Sequence, residues 1–151
     1  MANRRAAIEM SPDEVLAFLD EERIVTVATL GPRGFPHLMP LWYVVRDGTI
    51  WGWTFGKSQK VVNLERDPKA TLQVEAGRDR YDQLRGVMLE TECRLHADPD
   101  TVLGVGVDLA RRYGGAEPEG PGLDALRAQA PKRVAMEFHE TRRASWDHRK
   151  L

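Results

Sequence analysis

The sequence predicts a mainly β fold, a six-stranded antiparallel barrel decorated with helices, on three observations. Apolar and polar residues alternate with a period of two in six separate segments. Tight-turn signals join the first three segments, as an antiparallel meander requires. Helix-start signals appear only before and between some of the strands. The 151 residues, 42% of them apolar, suffice for one core, so a single domain over residues 1–151 is expected.

The first element is a short helix opened by Met10-Ser11-Pro12-Asp13-Glu14-Val15. Ser11 suits the N-cap, Pro12 the first helical position and Glu14 the third, and Met10 with Val15 can form a hydrophobic staple. Val15, Leu16, Phe18 and Leu19 supply its apolar stripe. From Ile24 the period changes to two. Ile24 to Leu30 is rich in β-branched residues and ends at Gly31-Pro32-Arg33-Gly34, a hairpin-type connection to a second strand over His37 to Val45. Asp47-Gly48 turns that strand into a third, Thr49 to Phe55.

A helix over Ser58 to Arg66 follows, stopped by Asp67-Pro68, and then a strand over Thr71 to Glu75. The clearest alternation is Val87 to Leu95, where Val87, Leu89, Thr91, Cys93 and Leu95 share one face. A helix over Pro99 to Arg112 is opened by Asp98-Pro99 and closed by Gly114-Gly115. Gly114 to Gly122 reads as a loop, and Val134, Met136 and Phe138 mark the last strand.

Charge narrows the function classes. Twenty-two Lys and Arg balance 23 Asp and Glu, so the chain has no global attraction for nucleic acid or an anionic membrane, and any anion must be held by a local cluster. Cys93 is the single cysteine, which excludes an internal disulfide and a multi-thiolate zinc site. Its place in the apolar series predicts a core thiol. No stretch approaches the roughly 18 apolar residues that span a bilayer, and a soluble, cytoplasmic protein is expected.

The segment from Thr54 to Pro68 carries the most chemistry. A strand ends, Gly56 lets the backbone turn, and a helix begins beside Lys57, Ser58 and Lys60, with hydroxyls from Thr54 and Ser58. Free helix-start amides, full positive charges and hydroxyls are what a phosphate needs. Two solvated lysines on a surface helix fit the same spacing. Gly56-Lys57-Ser58 is not a P-loop, since Trp51 stands where that motif needs its first glycine. His37, His96, His139 and His148 include no pair at helical ligand spacing, so no metal site is predicted, and no acid–base constellation identifies a catalytic residue. Trp42, Tyr43, Trp51, Trp53 and Phe55 are expected mostly to pack the core, with some free to line a pocket for a flat ring.

These residues resemble the pyridoxamine 5'-phosphate oxidase-like split β-barrel flavoproteins, and most closely the actinobacterial flavin/deazaflavin oxidoreductases that use coenzyme F420. The likeness runs from Ser11 to Leu151 and is most specific in GKSQKVVNLERDP, with IVTVATLGPRGFPHLMPLWYVV and SWDHRKL as further stretches. It implies an FMN-binding type of split barrel and a homodimer with cofactor sites at the subunit interface. It also implies Lys60, Lys57, Ser58 and Thr54 as phosphate contacts, and Met39, Pro40, Leu41 and Trp42 as the wall beside the cofactor ring. The activity implied is hydride transfer to a small or planar unsaturated substrate. Coenzyme F420 is favoured over FMN because its polyglutamate tail would find exposed cations in Lys57, Arg78, Arg80 or the C-terminal arginines, and because Arg-rich, Lys-poor usage suits the bacteria that make it. A flavin or F420 carrier without catalysis is the reading from another class. Asp147-His148-Arg149 does not reproduce the Arg-x-His element by which pyridoxamine 5'-phosphate oxidase holds its substrate's phosphate.

Overall fold

The strands form one antiparallel sheet in the computed structural model, which describes residues 3–151. They are β1 (Val25–Leu30), β2 (Pro36–Leu41), β3 (Val44–Arg46), β4 (Thr49–Phe55), β5 (Lys69–Ala76), β6 (Arg85–His96) and β7 (Arg133–Asp147). The helices are α1 (Arg4–Ala7), α2 (Pro12–Glu21), α3 (Gln59–Arg66), α4 (Pro99–Gly114) and α5 (Gly120–Gln129). The sheet order is β2-β1-β5-β6-β7-β4-β3. Its two outermost strands are therefore consecutive in sequence, joined only by Trp42 and Tyr43, and the sheet must curl until its edges meet there. The result is the expected split barrel with seven strands rather than six, because the strand anticipated over His37 to Val45 is broken in two.

The break has a local cause. At Tyr43 the backbone bonds side chains of α4 in place of a neighbouring strand: Tyr43 N–H donates to the Tyr113 hydroxyl at 3.1 Å, and Tyr43 C=O accepts from the Arg112 guanidinium. The same guanidinium donates to the carbonyls of Leu19 (3.0 Å) and Glu22 (2.7 Å) at the C-terminal end of α2, where a cation also complements the helix dipole. The Tyr43 side chain is fully buried, its hydroxyl donates to the Leu19 carbonyl at 2.6 Å, and burial pushes its phenol up to about 12. Two helices and both edges of the split thus meet at one point.

Inside the barrel, Val25, Val27, Leu72, Val74, Val87, Leu89, Ile50, Met136 and Phe138 form the main core. The α2 helix contributes Val15, Phe18 and Leu19 to it, joined by Met10 just ahead of the helix, with the Ser11 hydroxyl accepting from Glu14 N–H at 3.2 Å as the capping signal predicts. Leu16, expected on the apolar stripe, instead lies 42% exposed. A second core outside the barrel packs Val102, Val105 and Leu109 of α4 on Val44 and Ala135, with Trp51 and Trp53 partly buried beneath the helix. Gly106 is needed there, since a Cβ would meet the Trp53 ring at 2.5 Å.

Of the aromatic group expected in the core, Trp42 and Phe55 are exposed. Trp42 is exposed because Tyr43, the next residue, takes the inward position. The loop expected over Gly114 to Gly122 ends early, as α5 begins at Gly120 with Pro121 in its first turn, where proline costs no hydrogen bond. Cys93 is buried as expected, and burial pushes its thiol up to about 12. Among the described residues no helix is long and apolar enough to cross a membrane.

Removing the Arg112 fork takes the charged donor from the carbonyls of Tyr43, Leu19 and Glu22, which keep only the hydroxyls of Tyr113 and Tyr43 as donors. Arg112→Ala is expected to lower stability by about 2 to 3 kcal/mol, a fall of roughly 5 to 10 °C in melting temperature for a chain of this size. Arg112→Lys recovers only part of this, because one ammonium cannot span the fork. Melts of the three proteins check the order, and an unchanged melt for Arg112→Ala contradicts it.

Candidate functional site

The α3 end of the barrel is polar where the rest of its interior is apolar. In β1, Val25, Val27 and Thr29 face inward, and antiparallel pairing places Leu41, Met39 and His37 of β2 directly opposite them on the same face. Thr29 accepts from Asn63 Nδ2 at 3.0 Å, and Gln59 Nε2 donates to Asn63 Oδ1 at 2.8 Å, which binds α3 to this end of β1. Thr54, on the inward face of β4, accepts from Lys60 Nζ at 2.8 Å.

Lys60 is not the solvated helix lysine that spacing alone also allowed. It is 7% exposed, and no carboxylate lies within ion-pair distance of it among the described residues. Burial, together with the charge of Arg133, holds its ammonium below the ordinary lysine range. Arg133 stands opposite Phe55 in the β4–β7 pairing, one residue along from Thr54. Its guanidinium lies over the Trp53 ring (4.7 Å to the centroid) and donates to Gln129 Oε1 at 3.2 Å, so its partners are neutral too.

Ser58 is the N-cap of α3, yet its hydroxyl makes no capping bond and is buried without any partner. His37 Nδ1 is likewise buried and unpartnered. The first turn of α3 leaves the amides of Gln59 and Lys60 without intrahelical acceptors. Two cations without a counter-charge, an orphaned hydroxyl and free helix-start amides are collectively short of one anion with several acceptor oxygens. A phosphate fits that deficit.

The other expected site residues divide. Lys57 is exposed just ahead of α3. Met39 is 42% exposed although it faces the barrel interior, because β2 is an edge strand and the barrel is open beside it. Pro40, Leu41 and Trp42 line an apolar cleft of about 540 Å³ with Trp53, Tyr113 and α5. Spacing and turn signals did not single out Arg133, which reaches the α3 end of β4, opposite Phe55, only through strand register. They likewise gave no sign of α5, which closes the cleft.

Two further polar clusters are already paired. Asp147 holds Arg149 through two hydrogen bonds at 2.9 and 2.7 Å, so the C-terminal triplet offers no free arginine fork. Glu137 lies 2.9 Å from His96 and 3.2 Å from His139, and among the described residues no three such side chains are grouped for a metal ion.

A pyridoxamine 5'-phosphate oxidase family model matches residues 11–147. The chain belongs to that family. Among solved structures it is similar to a conserved hypothetical protein from Mycobacterium tuberculosis, at 43% identity and a TM-score of 0.89 over 99% of this chain and 92% of the other. It is also similar to an F420 reductase (21% identity, TM-score 0.66, 85% and 94% covered). A FAD-binding protein from Mesorhizobium loti gives 18% identity and a TM-score of 0.66, with 90% and 94% covered. The last two likenesses show the shared fold. No curated protein matches the sequence significantly.

A buried cation without a counter-charge costs stability, so Lys60→Met is expected to raise the melting temperature of the ligand-free protein, by about 1 kcal/mol in stability. Because folding lowers the Lys60 pKa below 10.5, the unfolded chain binds that proton more tightly, and wild-type stability gains from rising pH between the folded value and 10.5. The variant lacks that contribution. Melts from pH 7 upward check both, and a Lys60→Met protein less stable than wild type at neutral pH contradicts the account.

Proposed function

We propose that this protein is an oxidoreductase that binds a flavin-type cofactor, coenzyme F420 first and FMN as the second reading, and transfers a hydride to a small or planar unsaturated substrate. The observation that carries the reading is the uncompensated Lys60 ammonium and the orphaned Ser58 hydroxyl at the start of α3, within the field of the Arg133 charge. It suits a phosphate that both cofactors possess. Thr54 holds the Lys60 ammonium in place, and Lys57 at the rim is available to a longer anionic tail, which favours F420.

The ring then lies along Met39 to Trp42. As an edge strand, β2 keeps backbone groups on its outer side that no neighbouring strand bonds, and these can meet the polar edge of a flat heterocycle. When bound, the ring supplies the hydride chemistry, and the protein positions it and excludes water. The absence of an acid–base constellation in this region is consistent with that division of labour, and equally with a carrier that binds the cofactor without turnover.

A homodimer belongs to the same reading. Leu30, Phe35 and Leu38 are 46%, 73% and 61% exposed around the β1–β2 hairpin, an apolar patch left open among the described residues, and a second copy would bury it. Sedimentation at micromolar concentration checks this: a dimer is expected, and a monomer argues against a cofactor site shared between subunits.

Titrations of wild type, Lys60→Met and Arg133→Gln with F420 and FMN test the assignment. Each substitution is expected to weaken cofactor binding about ten- to hundredfold, the value of one charge-assisted contact. Oxidation of the reduced cofactor by a substrate panel then separates enzyme from carrier. Affinities unchanged in both variants would remove the phosphate from the α3 end.

A further inference from the structure

The apolar cleft differs in chemistry from the α3 end of the site. Pro40, Leu41, Trp42, Trp53, Tyr113 and Leu126 of α5 line it. Among the described residues no charged side chain lines it. The Tyr113 hydroxyl is already committed, accepting from Tyr43 N–H and lying 2.8 Å from the Arg23 carbonyl oxygen that takes its proton. The nearby guanidiniums are occupied elsewhere: Arg112 on the α2 carbonyls, Arg23 on the Arg112 carbonyl at 3.0 Å, and Arg133 over Trp53.

The aromatic walls are also held in fixed poses. Trp42 is 57% exposed, yet its ring lies parallel to Tyr113 at 4.4 Å with 5° between planes. Trp53 is pressed between Gly106 of α4 and the Arg133 guanidinium. Rigid aromatic surfaces that need no reordering favour flat guests, and a lining without charge or free polar donor penalises an ionised one by its lost hydration. The volume of about 540 Å³ falls within the range of small-molecule sites, roughly 300 to 1,000 Å³, so the cleft suits a small guest better than a protein segment.

We infer that this cleft binds an uncharged, planar aromatic or unsaturated molecule and discriminates against anionic analogues of the same ring system. Pro40 to Trp42 form both its wall and the proposed wall of the cofactor ring, so the guest is assigned as the substrate of the proposed reaction; that assignment rests on the cofactor reading, whereas the binding preference does not. The specificity is opposite to that of an enzyme acting on a phosphorylated substrate.

A matched pair of fluorescent probes tests the inference on the full chain without cofactor: neutral N-phenyl-1-naphthylamine and its sulfonated relative 8-anilinonaphthalene-1-sulfonate. The neutral probe is expected to bind at least about tenfold more tightly. Leu126→Arg, on a helix with no fully buried residue, brings a charge to the cleft wall and should reverse the preference while a thermal melt stays near wild type. Lys60→Met should leave the neutral probe's affinity unchanged. Equal affinity for the two probes, no binding of the neutral one, or indifference to Leu126→Arg overturns the inference. If Leu126→Arg weakens FMN or F420 as strongly as it weakens the probe, the cleft houses the cofactor ring and the substrate assignment is overturned. If neither cofactor binds wild type while the probe preference holds, the cofactor reading falls and the binding preference of the cleft stands.

Discussion

The Arg112 guanidinium sets the geometry on which everything else depends. It sits at the one place where the chain passes from one edge of the sheet to the other, and it bonds the Tyr43 carbonyl that the break in the ladder frees, together with the last carbonyls of α2. A continuous strand from His37 to Val45 could pair with only one edge. By leaving the ladder for two residues, the chain pairs β2 with β1 and β3 with β4, and the sheet closes with an opening beside β2. The opening persists because β3 is three residues long and matches only Thr49 to Trp51, so the later half of β4 faces β2 without a strand between them.

Both parts of the candidate site follow from that opening. At one end, α3 crosses from β4 to β1 and brings Lys60 to Thr54, with the Ser58 hydroxyl unused. The local balance is unfavourable without an anion and favourable with one, as expected where a binding site is kept at some expense in stability. At the other side, α4 and α5 roof the opening and give it aromatic walls. One region thus offers an anion cradle, a bare strand edge and an apolar cleft, three surfaces of different chemistry suited to the phosphate of a cofactor, its ring and a neutral partner.

Much of this was legible in the sequence where local rules dominate. Ser11 and Pro12 start their helix, and Asp47-Gly48 turns with φ of 49° and 76°, both in the left-handed region that the dipeptide announces. The alternation from Val87 to Leu95 marks the inward face of β6. What stayed hidden depended on distant partners. Nothing near Trp42-Tyr43 reveals that side chains some seventy residues later replace the ladder. Gly120-Pro121-Gly122 reads as loop by composition, yet it starts α5, whose Leu126 lines the cleft with residues of α4. Lys57 and Lys60 look alike in sequence, yet the turn at Gly56 sends one outward while the other reaches back to Thr54. Arg133 becomes part of the site only through the register of β7 on β4.

The claim that an anion completes the α3 end of the barrel can be tested directly by amide and side-chain NMR of the isotope-labelled protein during titration with inorganic phosphate and then FMN. The account predicts shifts concentrated on the Ser58, Gln59 and Lys60 amides, the Lys60 ammonium and the Arg133 guanidinium, with phosphate and FMN perturbing the same set and FMN adding Met39 to Trp42. Shifts centred instead on Arg85, Arg149 and Lys150 at the α2 end, with the start of α3 silent, would contradict it.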